Sequence, residues 1–205
     1  MRLILVRHGK PDEVGTVGSA QASNPGLDAR GVLHAQAVAH ALSNESLTHI
    51  VSSPLLRAME TAEPLVQTTG IALTVMEGFA EADKNSARYR SLESLKAQGE
   101  TEWQRFLSDP IRYLGSDPET FRTSVLGALH HCLQLPQNSR VAIFTHGMVI
   151  NTVLSHILGL QSLTHFSPGY GSLTRLGVRQ GGKLGIISVN ELGHQSSQSS
   201  SLPSP

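Results

Sequence analysis

The chain has 205 residues, 39% of them hydrophobic and 16% charged, a globular balance at a length that suits one domain with a sizeable core. Sixteen Lys and Arg offset sixteen Asp and Glu, so no global field exists to attract nucleic acid or an anionic membrane, and any anion site must be a local cluster. The single Cys132 excludes an internal disulfide and a multi-cysteine metal site, and it fits a reducing compartment.

Leu3 to Val6 reads as a short buried strand, and Arg7-His8-Gly9 follows it at once. The apolar run is too short for a signal peptide, and no stretch approaches the roughly 20 apolar residues of a membrane span. The expectation is a soluble, cytoplasmic protein with no membrane partner. Lys10 to Gly26 is a long loop rich in Gly, Pro, Ser and Asn. Leu27 to Leu42 turns helical through Ala35, Val38, Ala39 and Leu42. Thr48 to Val51 is a strand. Ser53 as a cap before Pro54 then starts a helix, which Pro64 should kink or make less regular and Gly70 ends. Ile71 to Val75 is the next strand.

Glu77 to Gly115 is polar, with Trp103, Phe106 and Leu107 marking one packed helix near its end, and it reads as a helical excursion over the mouth of a site. Pro118 to Leu135 is a helix with Phe121, Val125, Ala128, Leu129 and Cys132 at core spacing. Arg140 to Thr145 is the second strong strand, and Met148 to Leu158 is the helix after it. Ser172 to Val178 and Leu184 to Val189 flank Gly181-Gly182 as a terminal hairpin. Alternating helices and strands predict a three-layer α/β/α sandwich around a mostly parallel sheet, with antiparallel edges from the hairpin. Residues 1–190 form one domain on this reading, and 191–205, Ser-rich from Gln195 onward, a disordered tail.

Three strand-to-helix junctions carry suspicious residues: Arg7-His8-Gly9, Ser53 with Arg57, and His146-Gly147. In a parallel sheet neighbouring junctions open on one edge, where ligands of open α/β sheets bind. Two guanidiniums, two imidazoles and a helix N-terminus there describe a phosphate site, and Gly9 and Gly147 let backbone come close. The histidine pair adds covalent catalysis, since a neutral imidazole can attack phosphorus and divide one displacement into two. A carboxylic acid near the mouth should protonate the leaving alkoxide and then activate water.

These residues resemble the histidine phosphatase superfamily, the phosphoglycerate mutase-like fold. Val6-Arg7-His8-Gly9 resembles its opening motif, and Gly31 to Leu42, with Gln36-Ala37, its first helix. Ser52 to Ala58 followed by Thr61-Ala62-Glu63 resembles the second motif, and Phe144-Thr145-His146-Gly147 the third. The ordered set covers roughly residues 1 to 180. The resemblance implies that His8 is the nucleophile and that Arg7, Arg57, His146 and Gly147 hold the phosphoryl group. It implies Glu81, in Phe79-Ala80-Glu81, as the acid, with Glu77 the second choice. The chain departs from the family at Lys10-Pro11, at Asp12, Glu13 and Val14, and at Ala82-Asp83-Lys84-Asn85, positions that bear on substrate recognition.

The remaining candidates take bland readings. His34 and His40 belong to a helix surface, His49 to a strand start, and adjacent His130-His131 cannot share a helical face as a metal pair. His156 and His165 receive no role, and Cys132 is a core thiol. Gly177 to Lys183 fails as a P-loop because Leu184 replaces the magnesium-binding Ser or Thr between two strands. Tyr170-Gly171-Ser172 is a late loop that can line the pocket.

The expected function is a metal-independent phosphomonoester hydrolase working through phosphohistidine, with no cofactor. Its substrate would be a phosphorylated small molecule or phosphoprotein, and a homodimer stays open. A phosphoglycerate-type mutase and a phospho-ligand binding module without turnover are the alternatives.

Overall fold

In the computed structural model Leu3, Ile4, Leu5 and Val6 are buried on both faces of strand β1 (Arg2–Arg7). The structure describes residues 1–12, 23–179 and 182–198. The continuous apolar run marks a central strand covered from both sides. β1 lies between β4 (Arg140–Thr145), parallel to it, and β5 (Leu173–Val178), antiparallel to it. Beyond β4 come β2 (His49–Ser52) and β3 (Leu73–Val75), both parallel; beyond β5 comes β6 (Leu184–Glu191), antiparallel. The sheet order is therefore β3-β2-β4-β1-β5-β6.

Helices cover both faces of this mixed sheet. Ile4, Val6, Ile50, Ala142 and Phe144 pack on α1 (Ala29–Leu42) and α2 (Leu56–Thr69), through Val38, Leu42, Ala58 and Leu65. Leu3, Leu5, Val51, Val141 and Ile143 face the other way, onto α6 (Pro118–Leu133) and α7 (Gly147–Leu158). Alternate strand residues thus feed two separate apolar layers, as the two-residue period of a strand requires.

Helix boundaries follow local chemistry. Asp28 caps α1 by accepting from the Gly31 N–H, and Asp117 caps α6 by accepting from the Thr120 N–H, with Pro118 in the first turn. Gly70 ends α2 at φ 69°, a left-handed conformation that suits glycine. The start of α2 differs from the Ser53-Pro54 expectation. The helix begins at Leu56 after an extended Leu55 that makes no side-chain cap bond. The Ser53 hydroxyl instead accepts from Leu55 N at 3.2 Å and lies 2.7 Å from His146 Nε2, so it is drawn into the cluster at the strand ends. Pro64 lies inside α2, and the helix continues past it to Thr69.

The excursion is three short helices after a 3-10 turn at Glu77–Phe79: α3 (Leu92–Ala97), α4 (Glu100–Ser108) and α5 (Pro110–Tyr113). Trp103 and Phe106 lie on α4, their ring centroids 5.3 Å apart, and Phe106 is buried. The C-terminal expectation needs correction. Gly193–Gln198 forms a 3-10 helix against α1. His194 Nε2 donates to the Gly171 carbonyl at 3.0 Å and Gln195 Nε2 to the Tyr170 carbonyl at 2.7 Å. Polar bonding to loop backbone holds this segment, so apolar periodicity carries no sign of it. Residues 199–205 lie outside the described residues, as do residues 13–22 of the long loop and residues 180–181 of the hairpin turn. Among the described residues no helix is long and apolar enough to cross a membrane.

Candidate active site

The strand order makes β2, β4 and β1 consecutive parallel neighbours, so the ends of all three open on the same edge. Register aligns Arg7 with Thr145 and Ser52 with Phe144. The backbone just past each end is spliced to its neighbour: His8 N donates to the Thr145 carbonyl at 2.9 Å and Ser53 N to the Phe144 carbonyl at 2.9 Å. Gly171 N donates to the carbonyls of Arg7 and His8 from the far side. His8 is thereby fixed by β4 and by the loop before β5 before its side chain makes any contact.

His8 is 2% exposed, and its Nδ1 lies 2.7 Å from the Gly9 carbonyl. A carbonyl only accepts, so Nδ1 carries the proton and Nε2 keeps its lone pair. Burial, and then the Arg57 and Arg7 guanidiniums, hold the His8 pKa well below the usual histidine value, against the Gly9 bond. The ring is therefore neutral at pH 7 with Nε2 nucleophilic. The Gly9 N–H donates to Thr61 Oγ1 at 2.9 Å, and the Thr61 hydroxyl donates to the Arg57 carbonyl at 2.6 Å. Gly9 also meets α1 closely, since a Cβ on it would lie 2.5 Å from the Gly31 carbonyl oxygen.

Two buried arginines flank His8. Arg7 NH1 donates to the Pro168 carbonyl at 2.6 Å and the guanidinium lies 4.0 Å from the Tyr170 ring centre. Arg57 is fully buried, donates through NH2 to Asp83 Oδ1 at 2.9 Å and lies 4.7 Å from the Tyr89 ring centre. Gly147 lies beside Arg7, with space for a Cβ 3.9 Å from Arg7 Nε. The His146 ring lies 5.1 Å from that of His8. With the Ser53 hydroxyl donating to His146 Nε2, Nδ1 is the ring nitrogen that carries the N–H. Burial first, then Arg57, His8 and Arg7, hold His146 neutral as well.

Four buried nitrogens of this cluster have no protein partner among the described residues: Arg7 Nε, Arg57 Nε, Arg57 NH1 and His146 Nδ1. Buried donors are rarely left so. Several unpaired donors around one neutral imidazole suit a tetrahedral oxyanion, whose oxygens would satisfy them.

Glu81 lines the same cavity as Arg7, His8, Arg57 and Gly147. Its Oε2 accepts from Met148 N in the first turn of α7 at 3.0 Å, and Oε1 from Ala82 N at 2.9 Å. Those bonds and Arg57 favour the carboxylate, but burial, and then the charge of Asp83, outweigh them and push its pKa up to about 7. The group can therefore give and take a proton near neutrality. Glu77, the second choice, lies in the 3-10 turn with its side chain 76% exposed and Lys84 Nζ at 3.9 Å. It lines an adjoining cavity rather than the one around His8.

The structure thus brings Arg7, His8, Arg57, Glu81, His146 and Gly147 together and leaves Glu77 apart. Residues 3–191 match the model of the histidine phosphatase superfamily, branch 1. The chain belongs to that family. A probable phosphoglycerate mutase, GpmB, of Proteus mirabilis is 32% identical over 165 residues, covering 78% of this chain and 76% of the relative. Among solved structures, a phosphoserine phosphatase of Entamoeba histolytica is 24% identical with a TM-score of 0.72, over 94% of this chain and 98% of that one. YhfR of Bacillus stearothermophilus is 21% identical with a TM-score of 0.76, over 95% and 98%. At these identities the two solved structures share the histidine phosphatase fold.

Two contributors within this member of the family had no site role assigned from the sequence, and a third, Ser53, stood at a suspicious junction but with a different role. Asp83 pairs with Arg57 across 26 positions, and no local pattern signals so remote a partner. Ser53 was read as a helix cap, yet its hydroxyl reaches His146. Tyr89 stacks on Arg57 from the excursion, where composition is polar and periodicity weak.

Proposed function

We propose that the protein is a phosphomonoester hydrolase that works without a metal through a phosphohistidine on His8. The observation that carries this reading is the arrangement of the His8 ring. Its Nδ1 is tied to the Gly9 carbonyl, and its free Nε2 belongs to a cluster with four unpaired buried donors.

In the first step Nε2 attacks phosphorus, the N–P bond forms and the ester P–O bond breaks. Glu81 in its acid form gives its proton to the leaving oxygen. Arg7 and Arg57 offset charge on the equatorial oxygens and His146 Nδ1 donates a hydrogen bond to them, where positioning and electrostatics supply most of the catalysis. In the second step the Glu81 carboxylate takes a proton from water, the new O–P bond forms and the N–P bond breaks. Neutral His8, protonated Glu81 and inorganic phosphate result. The substrate is a phosphorylated small molecule or a phosphoprotein. The relative named as a mutase makes transfer to a second hydroxyl of the substrate the competing outcome.

The test is phosphate release from an aryl phosphate in excess chelator, wild type against His8→Ala. The reading expects metal-free release in the wild type and loss in the variant. Release that survives in His8→Ala, or that the chelator abolishes, contradicts it. Transfer of phosphate to an added alcohol or diol in preference to water would turn the reading toward a mutase.

A further inference from the structure

Asp83 has no role in the chemistry above, yet it lies in the same cavity as His8 and Glu81, 3% exposed, with its Oδ1 2.9 Å from Arg57 NH2. Tyr89 covers one face of the same guanidinium, 4.7 Å from ring centre to Cζ. One contact fixes a corner of the planar fork and the other fixes its plane. Nε and NH1 are left as the unpaired donors. An arginine side chain otherwise retains much rotamer freedom, and phosphoryl transfer is sensitive to donor placement.

The second consequence is electrostatic. With both histidines neutral and Glu81 protonated, Arg7 and Arg57 alone would give the cavity two positive charges. Asp83 reduces that to one. A phosphate dianion meets a weaker field, and a hydrolase must release phosphate after every turnover. A need for stability does not account for the pair, because a buried ion pair contributes little net stability once desolvation is counted.

We propose that Asp83 is a positioning residue of this site, aiming the Arg57 donors at the phosphoryl group and offsetting their charge so that phosphate is held loosely and leaves. The proposal rests on the phosphoryl-transfer reading above. Its negative charge also acts on Glu81 within the same cavity, second only to burial among the causes that raise that carboxyl.

The test is Asp83→Asn, which keeps an acceptor for Arg57 NH2 and removes the charge. Two readouts need no turnover: calorimetric binding of inorganic phosphate, and a carbon-detected NMR titration of the Glu81 carboxyl. Phosphate should bind roughly tenfold tighter and the Glu81 midpoint should fall by about one pH unit, as loss of a nearby like charge predicts. The basic limb of kcat/KM should move with it. Unchanged phosphate affinity together with an unchanged Glu81 midpoint would overturn the proposal and leave Asp83 as structural. Should the Asn variant fail to fold, Asp83→Ser carries the same two readouts. A wild type that binds phosphate but never releases it from esters would instead sink the hydrolase reading, and the two failures are distinguishable.

Discussion

His8 and Glu81 share one cavity, and burial moves them in opposite senses toward the forms that the proposed chemistry requires. The buried histidine stays neutral below its usual range, and the buried carboxyl keeps its proton up to about pH 7. On the proposed mechanism the competent free form has both, so kcat/KM should rise through a limb well below pH 6.5 and fall through one near pH 7. A pH–rate profile on a slow aryl phosphate checks this, and a basic limb above pH 9 would contradict the role of Glu81. Glu81→Gln should lower kcat by roughly 10²–10⁴-fold and remove the basic limb. An unchanged rate would return the role to Glu77 or to solvent. At this scale Arg7, His8, Arg57, His146 and Gly147 were legible because each lies within a few positions of a strand end. Asp83 and Tyr89 were not, because their significance comes only from a guanidinium that reaches them through space.

The elements were legible where apolar period and cap chemistry agreed. β1, β4, α6 and α7 lie within one or two residues of their expected limits. The start of α2 was set too early because Ser-Pro chemistry suggests a cap, while here the serine hydroxyl serves His146. The contact between the β1 end and α1 had no sequence signature beyond two glycines. A Cβ on Gly31 would lie 2.0 Å from the Lys10 carbonyl oxygen, a backbone atom that can yield only if the segment after His8 moves. Gly31→Ala should therefore cost about 1–3 kcal/mol of stability, typical of overpacking. It should also lower kcat by shifting the Gly9 carbonyl that sets the His8 tautomer. Denaturant melts and kinetics on the same variant check both, and a loss of stability with kcat intact would separate the glycine pair from catalysis.

For the whole molecule, the buried site is a pH-dependent liability. The folded pKa of Glu81, about 7, stands above the ordinary 4.5, so the folded state holds a proton that the unfolded chain releases. Stability should therefore fall as pH rises from 4.5 to 7, by about 3 kcal/mol at most. His8 and His146 are lowered, so their contribution is present above pH 6.5 and lost as pH falls below it. Glu81→Gln should thus gain on the wild type between pH 5 and pH 8 in thermal melts, and a gap independent of pH would contradict the buried-acid account. The two-faced sandwich was legible from the alternation of elements. The C-terminal 3-10 helix that braces the Tyr170 loop through His194 and Gln195 was not, because side-chain to backbone bonds leave no periodic trace.

The central claim is a covalent phosphoryl on His8. The direct measurement is rapid quenching of the enzyme during turnover of an aryl phosphate, followed by mass spectrometry of its peptides under alkaline conditions. The account predicts a phosphoryl group on the peptide that carries His8, stable in base, lost in acid and absent from His8→Ala. A burst of aryl alcohol with no phosphorylated peptide, or with the phosphoryl group on another residue, would contradict it.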